Sequence, residues 1–552
     1  MKSKYLFLTY VVIIIIIFNS CETLFGRRID EAIFGYVVNE SGPITGAVVR
    51  IQATDTHAVT NENGYFALLE LALEDSIVIT AWSEGHYIGW IEATPSSQPI
   101  SIKLSKYSIA DNVNYDWSPD EDGLGSIGCA ECHPAYDEWL NDAHSQSAVN
   151  PRFLTMYSGT DADGNQSPLT RFAYSRDYGN FPLLPDPAEP YYGPGYKIDF
   201  PDTDGNCGAC HVPAQAAYPG KEYSANPNEA TGIEQEGIFC DFCHKIGGVL
   251  LNPDTGIPNP NMPGILSIEL LRPAEGGEDL FLGNLDDVVG PDSYLPLYEE
   301  SAYCAPCHFS TFWETPVYNS YGEWLDSTYS DSEEGQTCQN CHMPAVDYEF
   351  FVYPQKGGVQ RDPETIFNHD MTGFMEEELM QNAVNLSAKA SLNDGLVELV
   401  IEIENDQTGH AVPTDFPLRQ MILVIDAIDE NGDTLQLVDG ERIPFYGGEG
   451  RSEDGYFAGL PGKIYMKVLQ EIWTEAYPSG AYWNPTRILS DSRLMPFEVD
   501  RSKYVFDAGD AKSVEICAQL LFRRATKELM DLKGWDVPDI LMEETTITIE
   551  NK

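Results

Sequence analysis

Ten of the twelve cysteines in this 552-residue chain belong to five copies of one pattern, C-x-x-C-H. Two thiols at this spacing reach the two vinyl groups of one haem as thioethers, and the adjacent histidine can then bind the iron. The pattern therefore predicts five covalently attached groups of haem c. The copies are Cys129-Ala-Glu-Cys132-His133, Cys207-Gly-Ala-Cys210-His211, Cys240-Asp-Phe-Cys243-His244, Cys304-Ala-Pro-Cys307-His308 and Cys338-Gln-Asn-Cys341-His342.

Two other uses of paired cysteines explain the pattern less well. Zinc could take four thiolates, and Cys207, Cys210, Cys240 and Cys243 have a tolerable spacing for it. Zinc sites do not require a histidine after every pair, however, and five pairs leave one pair over. Disulfide knuckles explain the histidines no better.

Ten histidines occur in the chain, and five of them follow the cysteine pairs. Two others, His57 and His86, lie near the start, where we expect surface residues rather than ligands. The candidates for binding an iron from its opposite side are His144, His369 and His410. Three such histidines leave two of five irons to bind methionine, His57 or His86, a partner's histidine, or nothing. The methionine candidates are Met156, Met262, Met371 and Met375.

The first of these distal candidates follows the first haem motif closely. Pro134 to His144 has a helical composition, and eleven residues at 100° each make three turns plus about 20°. His133 and His144 would then share one helix face about 16 Å apart. Two ligands that point the same way cannot hold one iron between them, so His144 should serve a different haem.

Acidic residues dominate the charge of the chain. Asp and Glu number 87 against 32 Lys and Arg, which gives a net charge of −55. Such a chain repels polyphosphate and anionic headgroups, which excludes nucleic acid from the expected partners. The acid forms either a solvated surface or a docking face for a basic partner.

Residues 1–21 have the composition of a bacterial export signal. Lys2 and Lys4 precede the apolar run Leu6–Phe18, which is shorter than the ~20 residues that span a bilayer, although an uncleaved anchor is the alternative. Phe18-Asn-Ser-Cys21 resembles a lipobox, so lipidation of Cys21 is expected, with simple cleavage as the alternative. The mature chain should be periplasmic or at the cell surface, anchored by lipid to a bacterial membrane.

Hydrophobic patterning divides the remainder into three regions. Residues 31–106 alternate apolar and polar residues in short runs, which predicts a small all-β sandwich. Residues 115–382 show neither strand nor helix period, so the haems must supply much of the core of a mostly irregular and α multihaem cytochrome c domain. Residues 383–552 alternate again and predict a C-terminal β-sandwich-like domain, whose His410 would be a distal ligand. Particular elements are expected at Val48–Ala53, Ser76–Trp82, Met421–Ile428, Ile464–Ile472 and Val514–Phe522 as strands, and at Ala525–Lys533 as a helix.

Two resemblances to known families follow from longer segments. Gly35-Tyr-Val, Ile44-Thr-Gly-Ala-Val-Val and Thr60–Phe66 resemble the carboxypeptidase regulatory-like domain, which implies a β-sandwich without catalysis. Cys129–His144, Gly237–Lys245, Cys338–Pro344 and Thr408–Thr414 resemble segments of multihaem cytochromes of the cytochrome c-552/c-554 type and their β-tailed relatives. In that family a serine often stands two residues before the distal histidine, where this chain has Asp142.

The cytochrome resemblance implies one of two functions. The expected one is an electron relay between redox partners at the cell envelope, such as donor and acceptor cytochromes or a quinol-linked complex. The alternative is a multihaem oxidoreductase that acts on nitrite, hydroxylamine or tetrathionate at a five-coordinate haem. No C-x-x-C-K occurs, so the lysine-ligated haem of pentahaem nitrite reductase is absent.

Overall fold

A computed structural model describes residues 32–69, 76–96, 98–117, 125–331, 335–373 and 376–551. The expected export signal, Cys21 and Met375 lie outside these residues. Within the described ranges, no helix is long and apolar enough to cross a membrane. These described residues divide into two compact units, one containing those up to Tyr115 with those of Leu271–Tyr298 and Tyr348–Ile366, the other containing those of Asp116–Leu270, Glu299–Asp347 and from Phe367 onward.

Strands are numerous and short. In chain order they are β1 (Ile33–Asn39), β2 (Gly42–Pro43), β3 (Val48–Ile51), β4 (His57–Val59), β5 (Tyr65–Leu68), β6 (Ile77–Trp82), β7 (Gly89–Ala93), β8 (Ile100–Lys103), β9 (Phe172–Ser175), β10 (Gly179–Pro182), β11 (Ile246–Val249), β12 (Ile268–Leu270), β13 (Phe281–Gly283), β14 (Asp292–Tyr294), β15 (Ser310–Phe312), β16 (Thr315–Tyr318), β17 (Asn385–Asn393), β18 (Leu396–Glu404), β19 (Gln420–Asp429), β20 (Gln436–Asp439), β21 (Gly462–Tyr465), β22 (Lys467–Glu471), β23 (Thr486–Asp491), β24 (Val499–Asp507), β25 (Ser513–Arg523) and β26 (Ile540–Glu550).

Helices are short as well. They are α1 (Ile127–Ala130), α2 (Ala135–Asn141), α3 (Pro151–Ser158), α4 (Tyr196–Asp199), α5 (Gly208–His211), α6 (Pro213–Ala216), α7 (Cys240–Cys243), α8 (Ala305–His308), α9 (Ser320–Leu325), α10 (Cys338–His342), α11 (Glu377–Asn382) and α12 (Lys527–Lys533). Short 3-10 helices add Pro227–Glu229, Gly232–Glu236, Gly264–Ser267, Pro296–Glu299, Ser301–Tyr303, Thr328–Ser330, Pro354–Lys356, Pro363–Thr365, Phe445–Gly447 and Ser452–Asp454.

The first unit contains two four-stranded sheets, with β2, β1, β5 and β8 in one and β4, β3, β6 and β7 in the other. Both sheets contribute to one apolar core, for example Val37 and Phe66 from the first sheet and Val49 and Ile79 from the second. Alternate side chains of a strand face opposite sides, which explains why short alternating runs suffice to build this core.

The first unit also includes two segments from later in the chain. Arg50 pairs with Asp286 at 2.8 Å, and Arg361 pairs with Asp287 at 2.8 Å with both side chains buried. Both returning segments lie within the predicted cytochrome domain, residues 115–382, whereas the structure groups them with the N-terminal strands.

The histidine in the first unit that was expected at the surface, His86, is in fact buried, with 6% exposure. Its Nε2 lies 3.0 Å from Asn39 Nδ2, and its Nδ1 lies 2.9 Å from Glu84 O. Both ring nitrogens are therefore engaged, which explains how a polar ring is buried at this position. His57 is exposed, as expected.

The C-terminal part of the second unit contains two four-stranded sheets, in the orders β17-β18-β24-β20 and β21-β19-β25-β26. Val397, Leu399, Ile401 and Ile403 are buried on one face of β18, as the alternation predicts. The strand expected at Ile464–Ile472 is interrupted at Met466 and forms β21 and β22. The loop between β18 and β19, residues 405–419, carries His410.

The remaining part of the second unit holds the cysteine motifs between short helices and two-stranded sheets. Its buried apolar clusters are small; one consists of Ala305, Phe309 and Tyr321 with a few partly buried neighbours. The core of the C-terminal sheets is much larger.

Candidate functional site

Each cysteine motif forms about one turn of helix. In four motifs the histidine amide donates to the carbonyl of the first cysteine at 2.9 to 3.1 Å, and the fifth motif is helix α10. Residues i, i+3 and i+4 share a helix face, so both thiols and the imidazole of a motif lie on the same side. The eleven described cysteines form no disulfides, which gives no support to disulfide knuckles.

Thiols of different motifs also lie next to one another. Cys129 hydrogen-bonds Cys240, which joins the first and third motifs. Cys210 hydrogen-bonds Cys307, and Cys304 hydrogen-bonds Cys338, which joins the fourth motif to the second and the fifth. The zinc alternative required Cys210 and Cys240 to share one ion, but their thiols have different partners.

The first distal candidate, His144, lies opposite the histidine of the fourth motif. The ring centres of His144 and His308 are 6.1 Å apart, with the ring planes inclined at 58°. The expected helix to His144 is wrong, because α2 ends at Asn141 and Asp142 is extended with ψ 158°. Asp142 Oδ1 accepts the His144 amide at 2.8 Å, which provides the local alternative to helical bonding.

Contacts with the residues before the third motif hold His144 in place. The Ile238 amide donates to His144 O at 3.1 Å, and Trp139 Nε1 donates to Ile238 O at 2.8 Å. Gly237 has φ +65°, and a Cβ there would lie 2.6 Å from His144 O. Only glycine allows this backbone conformation together with so close an approach.

His410 lies opposite the histidine of the fifth motif. The ring centres of His342 and His410 are 6.3 Å apart and the planes are nearly parallel, at 10°. Within the 405–419 loop, the His410 carbonyl accepts hydrogen bonds from Asn405 Nδ2 at 3.0 Å and from Thr408 Oγ1 at 2.7 Å. A loop of the C-terminal sheets thus reaches a cysteine motif.

A buried carboxylate attaches this loop to helix α9. Glu323 Oε2 accepts the Ala411 amide at 3.1 Å and the Thr414 hydroxyl at 2.7 Å. Its Oε1 pairs with Arg493 Nη1 at 2.7 Å, and both side chains are buried. The loop that carries His410 is therefore held by a charged network in addition to the burial of its Val412 and Leu418 in apolar cores.

The same loop reaches the fourth motif through Asp415. Its Oδ1 accepts the amides of Asn319 at 3.2 Å and Ser320 at 3.1 Å, and its Oδ2 lies 3.9 Å from His308 Nδ1. Burial lowers the pKa of His308, but Asp415 more than compensates and raises that pKa to about 9.

His369 lies near the first motif. Glu138 Oε2 accepts the His369 amide at 2.8 Å, and its distance to His369 Nδ1 is 3.9 Å. Burial lowers the pKa of His369, and the charge of His133 lowers it further. Glu138 lies on α2, which directly follows the first motif, so the third distal candidate lies near that motif.

The histidine of the second motif has an aromatic neighbour. Phe153 from helix α3 stacks on His211 with ring centres 3.6 Å apart and planes at 5°. Of the described methionine candidates, Met156 is buried in an apolar core with Leu418, while Met262 and Met371 are partly buried.

In most of these histidines, hydrogen bonding engages Nδ1 and leaves Nε2 for another bond. Burial lowers the pKa of His211 and of His342 to about 4, so both rings are neutral and keep a lone pair near pH 7. A neutral imidazole whose Nδ1 is engaged is the form that binds metal through Nε2. The Nδ1 partners are Asp142 Oδ1 for His144, and the carbonyl oxygens of Ser147 for His211, Thr372 for His342, Phe367 for His369 and Ala411 for His410.

The ring separations test whether these side chains fit haem iron. Metal–imidazole bonds are about 2 Å long, and each nitrogen lies about 1 Å from its ring centre, so two rings on one metal should be about 6 Å apart. The two pairs, at 6.1 and 6.3 Å, meet this requirement. The two thiols of each motif, on the same helix face as the motif histidine, complete a donor set that fits haem c.

Sequence reasoning missed the carboxylates that organise the site. Glu323 and Asp415 carry no local signal in a chain with 87 acidic residues. Asp142 was visible as a departure from the serine of the family pattern, and that departure was the one clue to its contact with His144.

Comparison with known proteins supports the cytochrome fold. No protein-family model and no curated protein matches the chain. A type II cohesin–X-dockerin complex of Acetivibrio cellulolyticus matches with a TM-score of 0.13 and 18% identity, covering 14% of this chain and 58% of that chain, which is too low to support an argument. A penta-heme cytochrome c552 from Thermochromatium tepidum matches with a TM-score of 0.52 and 18% identity, covering 77% of this chain and 99% of that chain. The expected resemblance to a multihaem cytochrome c is thus confirmed at the level of the fold.

Proposed function

We propose that the chain is an exported pentahaem c-type cytochrome that relays electrons between redox partners at the cell envelope. The observation that carries this proposal is the pairing of imidazoles across the motifs, at 6.1 Å for His144 with His308 and 6.3 Å for His342 with His410. An iron held by two histidines has no site for substrate, so it suits electron transfer.

The residues of the chain have separate roles in this proposal. The ten motif cysteines would attach five haems, and the five motif histidines would each bind an iron. His369, His144 and His410 would provide the second histidine to the irons of the first, fourth and fifth motifs. Haem c, when bound, supplies one-electron ferric/ferrous chemistry. Adjacent thiols of neighbouring motifs support an arrangement in which the haems are close enough for electrons to pass between them.

Export and partners belong to the same proposal. The basic and apolar residues 1–21 favour secretion, and Cys21 would attach the chain to a bacterial membrane through lipid. A net charge of −55 favours a basic face on the donor or acceptor protein. The N-terminal β unit would serve as spacer or docking module.

The haem count provides the first test. Thioether bonds survive acid–acetone extraction and axial bonds do not, so five haems per chain should remain in the extracted protein. A pyridine haemochrome assay that gives two or fewer haems per chain would refute the proposal.

One observation favours the alternative, an oxidoreductase with an open iron. Three distal candidates for five motifs leave two irons to a methionine, another histidine or an open position. Low-temperature electron paramagnetic resonance of the oxidised protein counts irons without a strong sixth ligand. We expect at least one high-spin or His/Met iron; five bis-histidine signals would contradict the ligand count. Turnover of nitrite, hydroxylamine or tetrathionate by a protein with a high-spin iron would establish the enzyme instead.

A further inference from the structure

The pair His144 and His308 differs from the pair His342 and His410 in the groups that lie next to Nδ1 of each ring. For His342 and His410, Nδ1 lies against the carbonyl oxygens of Thr372 and Ala411, at 2.5 and 3.0 Å. For His144, Nδ1 lies 2.6 Å from the carboxylate of Asp142. For His308, Nδ1 lies 3.9 Å from the carboxylate of Asp415. Both pairs consist of two imidazoles, but carboxylates lie next to Nδ1 in the fourth-motif pair and neutral carbonyl groups in the fifth-motif pair.

The contact of Asp142 with His144 is built into the local fold. The Asp142 side chain is 5% exposed, and Oδ1 also accepts the His144 amide at 2.8 Å, so the carboxylate is fixed at the point where α2 ends. A charge held out of water interacts more strongly with its neighbours than a solvated one. Asp415 is also fixed, by the amides of Asn319 and Ser320.

We propose that Asp142 is a positioning residue that lowers the reduction potential of the haem attached at Cys304 and Cys307, below that of the haem at Cys338 and Cys341. This inference rests on the proposed function, since it requires His144 and His308 to bind one iron. A carboxylate that accepts a hydrogen bond from Nδ1–H makes Nε2 of the imidazole a stronger electron donor to the iron. A nearby negative charge also favours the ferric form. Asp415 acts in the same direction, more weakly because it lies farther from its ring nitrogen.

The location of this haem makes the difference in potential useful. Cys304 and Cys338 are adjacent, so the fourth and fifth motifs are neighbours, and Cys210 and Cys307 join the fourth motif to the second. An electron on the fourth-motif iron would therefore move spontaneously to the fifth-motif iron: one centre is oxidised from ferrous to ferric and the other is reduced from ferric to ferrous. The Asp142 carboxylate thereby sets the direction of one step of the relay.

The test is a redox titration of the complete protein followed by electron paramagnetic resonance. Asp142→Asn keeps an acceptor oxygen for the His144 backbone amide and for His144 Nδ1, and it removes only the negative charge. We expect the equilibrium constant for reduction of one haem to rise about tenfold, because hydrogen-bond partners of metal ligands have effects of this size. A tenfold rise corresponds to an increase of about 59 mV in the reduction potential for one electron. Asp142→Ser, which also keeps an acceptor, should shift the same haem, and Asp415→Asn should shift it less.

Control variants identify which haem is shifted and distinguish a failure of this inference from a failure of the proposed function. Asp137→Asn removes an equal charge from the exposed side of α2 and should shift nothing. The haem shifted in Asp142→Asn should be the one that becomes high-spin in His144→Ala. Five bound haems with no shift, or with a shift of the haem that becomes high-spin in His410→Ala, would overturn this inference alone. A wild-type preparation with two or fewer haems would overturn the proposed function and this inference with it.

Discussion

Glu323 provides a sharp test of how the C-terminal sheets support the cysteine motifs. The residue lies on α9, and its carboxylate binds the Ala411 amide, the Thr414 hydroxyl and the Arg493 guanidinium. Glu323→Gln keeps an acceptor oxygen but removes the negative charge opposite Arg493. Because the Arg493 side chain is 5% exposed, the remaining cation would be left partly uncompensated in the interior.

The cost can be bounded from the contacts. Breaking a buried ion pair by removing one partner costs about 3–5 kcal/mol. Arg493 retains its contact with Asp491, at 2.9 and 2.8 Å, so we expect the lower end, about 3 kcal/mol. If this loss of free energy weakens only the attachment of the 405–419 loop, the fraction of molecules in which the loop is detached rises about a hundredfold. His410 would then leave its iron in a measurable fraction of molecules.

Two measurements on the holoprotein check this prediction. Urea unfolding should show the loss in free energy, and the resonance spectrum of oxidised Glu323→Gln should show a new high-spin fraction from one haem. Glu398→Gln is the matched control, since Glu398 lies on the exposed face of β18. An unfolding free energy within about 0.5 kcal/mol of wild type, with an unchanged low-spin signal, would refute the reasoning.

Three further variants probe other contacts of the second unit. His410→Ala should keep five haems, since no thioether is touched, and make one haem high-spin, while His410→Met should raise one potential; unaltered spectra and titration would remove His410 from the ligands. Gly237→Ala should cost about 1–2 kcal/mol in backbone strain and also displace the His144 carbonyl, adding high-spin signal, whereas Gly220→Ala, with φ +80° and open space, should show the strain alone. Lys533→Met leaves the carbonyls of Thr155, Thr160 and Pro194 without their buried amine donor and should lower the unfolding free energy by about 3 kcal/mol; a loss under about 1 kcal/mol would contradict that role.

The sequence predicts the chemical groups of the site better than the residues that hold those groups in place. A motif such as Cys240–His244 is contiguous, so one helical turn suffices to bring its side chains together. Strand alternation around Val397 is equally local and correctly predicts which face is buried. The exclusion of His144 from the first motif agrees with its 6.1 Å separation from His308, although the helix used to argue it ends three residues early. There an Asp side chain replaced helical hydrogen bonds, a competition that composition does not reveal.

Long-range ion pairs account for most of what the sequence could not predict. Arg50 and Asp286 are 236 residues apart, and no periodicity marks either as a partner of the other. The pair nevertheless helps to join a segment from between the third and fourth motifs to the N-terminal strands. His86 is similar, since its burial depends on Asn39, 47 residues away. Polar contacts of this kind depend on topology, which hydrophobic patterning determines only coarsely.

The 405–419 loop shows why the C-terminal sheets cannot be regarded as a separate appendage. One loop supplies His410 to the fifth motif and sets Asp415 against His308 of the fourth. Glu323, which holds the loop, lies on the helix that follows the fourth motif, so the attachment runs in both directions. A perturbation that detaches the whole loop should therefore change two neighbouring irons, one through a lost ligand and one through a displaced charge. An Asp415→Asn protein with an unchanged fourth-motif potential would show that Asp415 has no electrostatic effect there.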